Sequence, residues 1–382
     1  MLDQIAARAA TSLVQADFSP FRLCIAVLAF FFVYIITSSI LTSISRERFR
    51  IKNHCQPLFR YYPFRDPIFG LDLVTDTLKA IREKRFLDTL NERFEKIGMT
   101  YGVRVFNRRA IFTNEPDNIK TVLSLRFKDY TVANRPPVMG PLLGKGIFTV
   151  DGEEWSHSRT MLRASFMKDR LANLATFESC VQDMFQLLPR DGSTVDLQNL
   201  FFRFTIDTAT EFLFGRSVHT LRRGSEAGRR FTDAFDFSQA EITKTFCLGP
   251  FRRLQRNPQA QAAYKVCRSY ADQFVDEALA IRKKCRENGR DMAEKGAEAN
   301  FMQQLANATD DKNKIRDELL NILIAGRDTT ASLLSNLFFT LARKPEVWKK
   351  LREEVKHLDG RAPNYEELWD LKYARYCLQE GE

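Results

Sequence analysis

Residues 319–339 read LLNILIAGRDTTASLLSNLFF, and their middle is chemically out of place. The flanks are apolar enough for a buried helix, yet Gly326, Arg327, Asp328, Thr329 and Thr330 interrupt them. Ala325 and Thr329 are spaced i, i+4 and share a helix face, with Gly326 leaving a gap beside them. An acid and a hydroxyl at a notch in a buried helix are costly unless a ligand or water meets them. The plainer alternative is an ordinary helix with a tolerated Gly and back-bonded threonines. A second candidate is Trp155-Ser-His-Ser-Arg159. Trp155 and Arg159, also i, i+4, project from one face, and a guanidinium suits a carboxylate bidentately.

Other chemistries fail on residue type. Gly144-Lys145-Gly146 lacks the earlier Gly and the following Ser or Thr of a phosphate loop. There is no HExxH, and His54, His157, His219 and His357 are scattered, so no metal site is predicted. Gly224-Ser225 does not form a nucleophile elbow.

The elements that must position these residues are mostly helical. The patterning predicts helices over 153–165, 168–187, 197–214, 226–244, 259–287, 312–343, 345–356 and 366–380, with a further helix from Leu78 to Ile97. Tyr101–Phe106 and Ala110–Thr113 read as a hairpin, and Asp117–Leu125 as a short helix after Pro116. Residues 134–146 hold three prolines and three glycines and read as a loop. Glu287–Ala299 is polar and reads as an exposed loop. The fold class is mainly α with a small β element.

Ahead of these elements, residues 23–44 contain no charge and suffice to cross a bilayer as a helix. Residues 1–22 precede this signal anchor, and a Pro-containing connector over 45–70 follows it. Arg46, Arg48, Arg50 and Lys52 crowd the C-terminal flank, which places the bulk of the chain, 71–382, in the cytosol. The seven cysteines include no CxxC pair and suit a reducing compartment. Across 382 residues, 58 Lys and Arg against 48 Asp and Glu give a net charge of +10. The excess is dispersed rather than gathered into a nucleic-acid motif, so nucleic acid is not an expected partner; a membrane face or an acidic protein is.

Three segments together carry a resemblance. Ala325-Gly-Arg-Asp-Thr-Thr330 resembles the oxygen-activation motif of cytochromes P-450, Trp155-x-x-x-Arg159 is similar to the family's propionate-binding pair, and LARKPEVWKKLREEV (341–355) looks like the helix after the long one. GKGIFTVDGEEWSHSR and FRDPIFGLDL are similar to the fungal group that hydroxylates alkanes and fatty acids. The resemblance implies the P-450 fold behind a transmembrane helix, haem as cofactor, an NADPH-dependent cytochrome reductase as partner, a lipid-like substrate, and residence in the endoplasmic reticulum membrane. It implies that Trp155, Arg159, Ala325, Gly326 and Thr329 bind the cofactor. Thr329 would orient water at the iron, Asp328 would help feed protons, and Ala325 with Gly326 would leave room for oxygen. The substrate pocket would draw on 135–148 and the Phe-rich stretch 201–246.

One departure stands out. The family's iron-binding cysteine lies in F-x-x-G-x-R-x-C-x-G, after a helix bearing E-x-x-R. None of the cysteines here, Cys247 and Cys377 included, sits in that frame, and the sequence reads as a partial P-450 domain ending before the ligand. The alternative reading is a non-catalytic membrane-anchored remnant or lipid-binding partner protein.

Overall fold

In the computed structural model the described residues are 20–56, 58–66, 69–105, 108–132, 134–166, 174–222, 224–249, 252, 255–287 and 301–381. The first element, α1 (Pro20–Lys52), outruns the expected 23–44 span at both ends. Its apolar side chains, Phe30, Phe31, Phe32 and Tyr34 among them, are exposed, and its length and composition suffice to cross a membrane.

The chain divides into two compact units, one ending at Leu123 and one beginning at Ser124. In the first, α2 (Leu71–Arg82) and α3 (Phe86–Ile97) replace the single helix expected from 78 to 97. Lys84 takes a left-handed conformation, φ 57°, and ends the first helix there. The hairpin is present as β1 (Thr100–Val105) and β2 (Arg108–Thr113), antiparallel with Tyr101 opposite Phe112. Tyr101 is buried and stacks on Phe112 with ring centres 5.6 Å apart; Leu73 and Val103 complete this small core. Beyond Pro116 the expected helix is a short α4 (Pro116–Lys120) followed by a π turn over Thr121–Leu125.

The second unit is helical. Residues 134–146 do not form the expected loop: α5 (Pro136–Leu143) runs through them. Pro136 and Pro137 occupy the first turn, where a missing N–H costs nothing, and Val138, Leu142 and Leu143 bury one face. Next come α6 (Gly152–Ser165), α7 (Ala175–Gln186), α8 (Leu197–Phe214), α9 (Glu226–Leu248) and α10 (Pro258–Glu287). The expected start of α7 at 168 lies outside the described residues, as does the Glu287–Ala299 loop beyond Glu287. A helix absent from the sequence reading, α11 (Phe301–Ala308), buries Phe301, Met302, Leu305 and Ala306.

The long α12 (Lys312–Arg343) keeps the predicted limits. The Asp311 carboxylate caps it, accepting from the Asn313 and Lys314 amides, and Pro345 opens the following α13 (Pro345–Val355). The helix expected over 366–380 is two: α14 (Tyr365–Asp370) and α15 (Lys372–Gly381). Leu371 turns inward between them and is buried, while the Glu354 carboxylate accepts from the freed amides of Tyr373 and Ala374 at 2.7 and 2.9 Å. The core gathers α8, α9 and α10 around the N-terminal half of α12. Phe214 stacks on Phe274 at 5.1 Å, and Phe231 on Tyr270 at 4.3 Å. Phe201, Phe214, Phe231 and Phe235 are therefore core residues, and so are Val138, Leu142 and Leu143 of the segment expected to face substrate.

Candidate active site

The middle of α12 presents two different faces. Thr329 is exposed and its hydroxyl donates to the Ala325 carbonyl at 2.7 Å, while Gly326, also exposed, has open space where a Cβ would project. Asp328 does not share this notch. With 3.6 residues per turn it sits about 100° round the helix from Thr329. It lines a separate recess of about 450 Å³ with Asn199, Phe202, Asp236, Gln239 and Arg327.

Arg327 organises that recess. Its side chain is 6% exposed and makes an ion pair with Asp236 of α9 and one with Asp328 at 3.1 Å, and it donates to Gln239 Oε1 at 3.3 Å. The guanidinium also lies 5.0 Å from the centre of the Phe202 ring. Two buried donors in the recess, Arg327 Nε and Gln239 Nε2, have no hydrogen-bond partner. Burial pushes the carboxyls of Asp328 and Asp236 above the usual range, and the Arg327 charge pulls both partway back. The site thus offers a hydroxyl at an open notch on one face of α12 and, beside the next face, a recess in which Asp328 and Asp236 of α9 pair with Arg327.

Trp155 and Arg159 lie on α6, one turn apart. The Arg159 guanidinium carbon is 5.5 Å from the centre of the indole ring, and the Phe127 ring packs against Trp155, tilted, at 5.7 Å. The stacking orients an exposed guanidinium whose donor edge remains open to solvent.

The residues that tie α6 to α12 went unread in the sequence. Asp317, Glu318 and Asn321 are buried on α12 and face the segment 143–149. Asp317 Oδ2 accepts from the Lys145 amide at 2.8 Å, Glu318 Oε2 from Ile147 at 3.1 Å, and Asn321 Oδ1 from Phe148 at 3.0 Å. Asn321 Nδ2 donates to the Leu143 carbonyl at 2.9 Å. Lys314 Nζ donates to the Lys145 carbonyl at 3.1 Å and to Ser158 Oγ at 2.6 Å, and pairs with Glu318 at 2.9 Å. The available signal was Gly144-Lys145-Gly146. Gly144 sits at φ +60°, and a Cβ on it would fall 2.0 Å from Asp317 Oδ2; one on Gly146 would fall 2.0 Å from Asn321 Nδ2. These glycines admit the backbone to the helix rather than a phosphate to the backbone.

The described residues fit two parts of a haem environment: an open notch for a small molecule on α12, and an exposed cation backed by an indole for a carboxylate rim. Two of the cysteines do not fit the iron ligand. Burial pushes the Cys180 thiol up to about 11 and the Cys267 thiol to about 12, the reverse of a thiolate environment. Cys377 is also raised, by burial and the nearby Glu354. The side chains of Cys24 and Cys247 lie outside the described set.

Comparison with known proteins agrees with this geometry. The family model described as Cytochrome P450 matches residues 66–381. The chain is 53% identical over 331 residues to "Cytochrome P450 monooxygenase himC" of Aspergillus japonicus, covering 85% of this chain and 59% of that protein. It is 44% identical over 355 residues to "Cytochrome P450 monooxygenase fsdH" of Fusarium heterosporum, covering 91% and 62%. To "Cytochrome P450 52A10" of Candida maltosa it is 36% identical over 345 residues, covering 86% and 64%. The chain thus spans about six-tenths of the length of these relatives. With the long helix, its notch and the α6 cation in place, the chain belongs to the cytochrome P450 family.

Proposed function

We propose that this chain serves a membrane-anchored haem-thiolate monooxygenase that hydroxylates lipid-like substrates, fatty acids or n-alkanes, with electrons from an NADPH-dependent cytochrome reductase. The observation that carries the reading is the α12 notch: an exposed hydroxyl bonded to the Ala325 carbonyl beside a glycine with nothing opposite. Haem, when bound, would supply the reductive activation of dioxygen, with one oxygen atom entering a C–H bond and the other leaving as water. Trp155 and Arg159 would hold a propionate, the guanidinium supplying the donors and the indole stacked on it supporting its orientation. Ala325 and Gly326 keep side-chain bulk away from the cofactor face, and Thr329 orients water there. Asp328, whose carboxyl takes up a proton more readily than an exposed aspartate, would serve as a proton reserve in the recess it shares with Asp236, one face round α12 from Thr329. The alkyl-chain substrate rests on the sequence resemblance to the fungal hydroxylases and on the similarity to the 52A proteins.

The exposed apolar α1 and its basic end, Arg46, Arg48, Arg50 and Lys52, support a single-pass anchor in the endoplasmic reticulum membrane with the folded units in the cytosol. Haem-loaded protein, reconstituted with reductase and isotopically labelled dioxygen, is offered fatty acids and n-alkanes of increasing chain length. Labelled alcohols or hydroxy acids are the expected products. NADPH consumption without labelled product from any of them would overturn the substrate assignment.

A further inference from the structure

Three polar side chains on one buried stretch of α12 are an expensive way to pack a helix. Glu318 and Asn321 are fully buried and Asp317 nearly so, at a place where apolar residues of similar size would cost no desolvation. What they gain is register. Between them they take the amides of Lys145, Ile147 and Phe148, in a stretch outside any helix or strand, and the carbonyl of Leu143, the last residue of α5. Apolar packing would let this strap slide; four directional bonds do not.

The strap leads directly into α6. Asp151, just before that helix, is held through its carboxylate by the Val132 amide at 3.0 Å. Lys314, on the same α12 face, reaches Ser158, the residue next to Arg159, and the Ser158 hydroxyl closes back on the Glu154 carbonyl at 3.0 Å. The polar ties between α6, which carries Arg159, and α12 therefore run through Asp317, Glu318, Asn321 and Lys314, beside the apolar packing of Met161 and Leu162. Gly144 and Gly146 belong to the same device, since either Cβ would push the strap off the helix.

We propose that Asp317, Glu318, Asn321 and Lys314 are positioning residues for the cofactor rim, fixing α6 so that Trp155 and Arg159 meet the propionate of a haem lying against the α12 notch. The proposal rests on the reading of Arg159 as the propionate partner, and the test separates the two.

The measurement is the rate of haem loss from the loaded protein to an excess of apomyoglobin, alongside far-UV circular dichroism and melting temperature. The variants are Arg159→Ala, Asn321→Ala, Gly146→Ala and the double variant Arg159→Ala/Asn321→Ala. Asp207→Ala, a buried polar lesion in α8, serves as a stability control. Asn321→Ala and Gly146→Ala are expected to lose haem about tenfold faster than Asp207→Ala, the weight of one charge-assisted hydrogen bond. Because the strap acts through Arg159, the double variant should be no worse than Arg159→Ala. Faster loss in Arg159→Ala with Asn321→Ala and Gly146→Ala matching Asp207→Ala would overturn the strap's role and leave the rim reading standing. Full additivity in the double variant would also overturn it. Unchanged loss in Arg159→Ala would overturn the rim reading and the proposal with it. Should Asn321→Ala fail to fold, Lys314→Met, at a partly exposed position, carries the same comparison.

Discussion

Among the described residues lining the recess between α8, α9 and α12, Arg327 is the one cation set against the two carboxyls, and replacing it by Met removes that charge. Breaking a buried ion pair typically costs about 3–5 kcal/mol. Here Asp236 is 51% exposed and Asp328 35%, so both can rehydrate. Solvent screening reduces the figure to about 2 kcal/mol. For a domain of this size that corresponds to a fall of about 4–8 °C in melting temperature. The pH dependence is more diagnostic. Burial raises both carboxyls above their unfolded values, and Arg327 is the largest opposing influence. A carboxyl with a raised folded value favours the fold below its unfolded pKa, about 4, and that contribution is lost as pH rises through the folded value. Without Arg327 the folded values climb further, so the loss is deeper and extends to higher pH. The gap between wild type and Arg327→Met should be small near pH 4 and widen toward neutrality. Urea unfolding midpoints across that range measure it. A gap that is independent of pH, or below about 0.5 kcal/mol at neutrality, would refute the reasoning.

Two further outcomes follow from other sites. Asp207 is buried and accepts from the amides of Thr220 and Leu221 at 2.7 and 2.9 Å and from the Thr220 hydroxyl, so Asp207→Ala should cost about 3 kcal/mol in a thermal melt and Asp207→Asn about half; equal costs would contradict the role of the lost acceptors. Cys55 is exposed just beyond the basic flank of α1, so a membrane-impermeant maleimide should label it in sealed microsomes without detergent, while Cys180 and Cys267 stay protected until unfolding. Labelling of Cys55 only after permeabilisation would reverse the topology.

Much of the fold is legible because its signals are local. Asp311 and Pro345 bracket α12 in the sequence as they do in the structure, and the apolar periodicity between them leaves no competing reading. The hairpin is legible for the same reason. What escapes is decided by tertiary contact or by backbone geometry. Residues 134–146 carry the composition of a loop, yet Pro136 and Pro137 start a helix because Val138, Leu142 and Leu143 have a core to enter. Lys84 and Leu371 break helices that the pattern runs together, and in the second case the distant Glu354 satisfies the exposed amides.

The site divides likewise. The motif residues and the Trp155–Arg159 spacing can be found by eye, but the placement of Asp328 cannot, since one residue along a helix changes the face. Asp317, Glu318 and Asn321 read as ordinary polar residues near a helix start. Only the close approach of Gly144 and Gly146 gives them meaning.

A role of the α12 notch in handling activated oxygen is tested most directly by Thr329→Ala. In haem-loaded protein turning over with its reductase, the quantity is the ratio of hydroxylated product to NADPH consumed, with hydrogen peroxide measured in parallel. Thr329→Ala is expected to keep consuming NADPH while product falls and peroxide rises. Coupling equal to wild type, with unchanged peroxide, would contradict it.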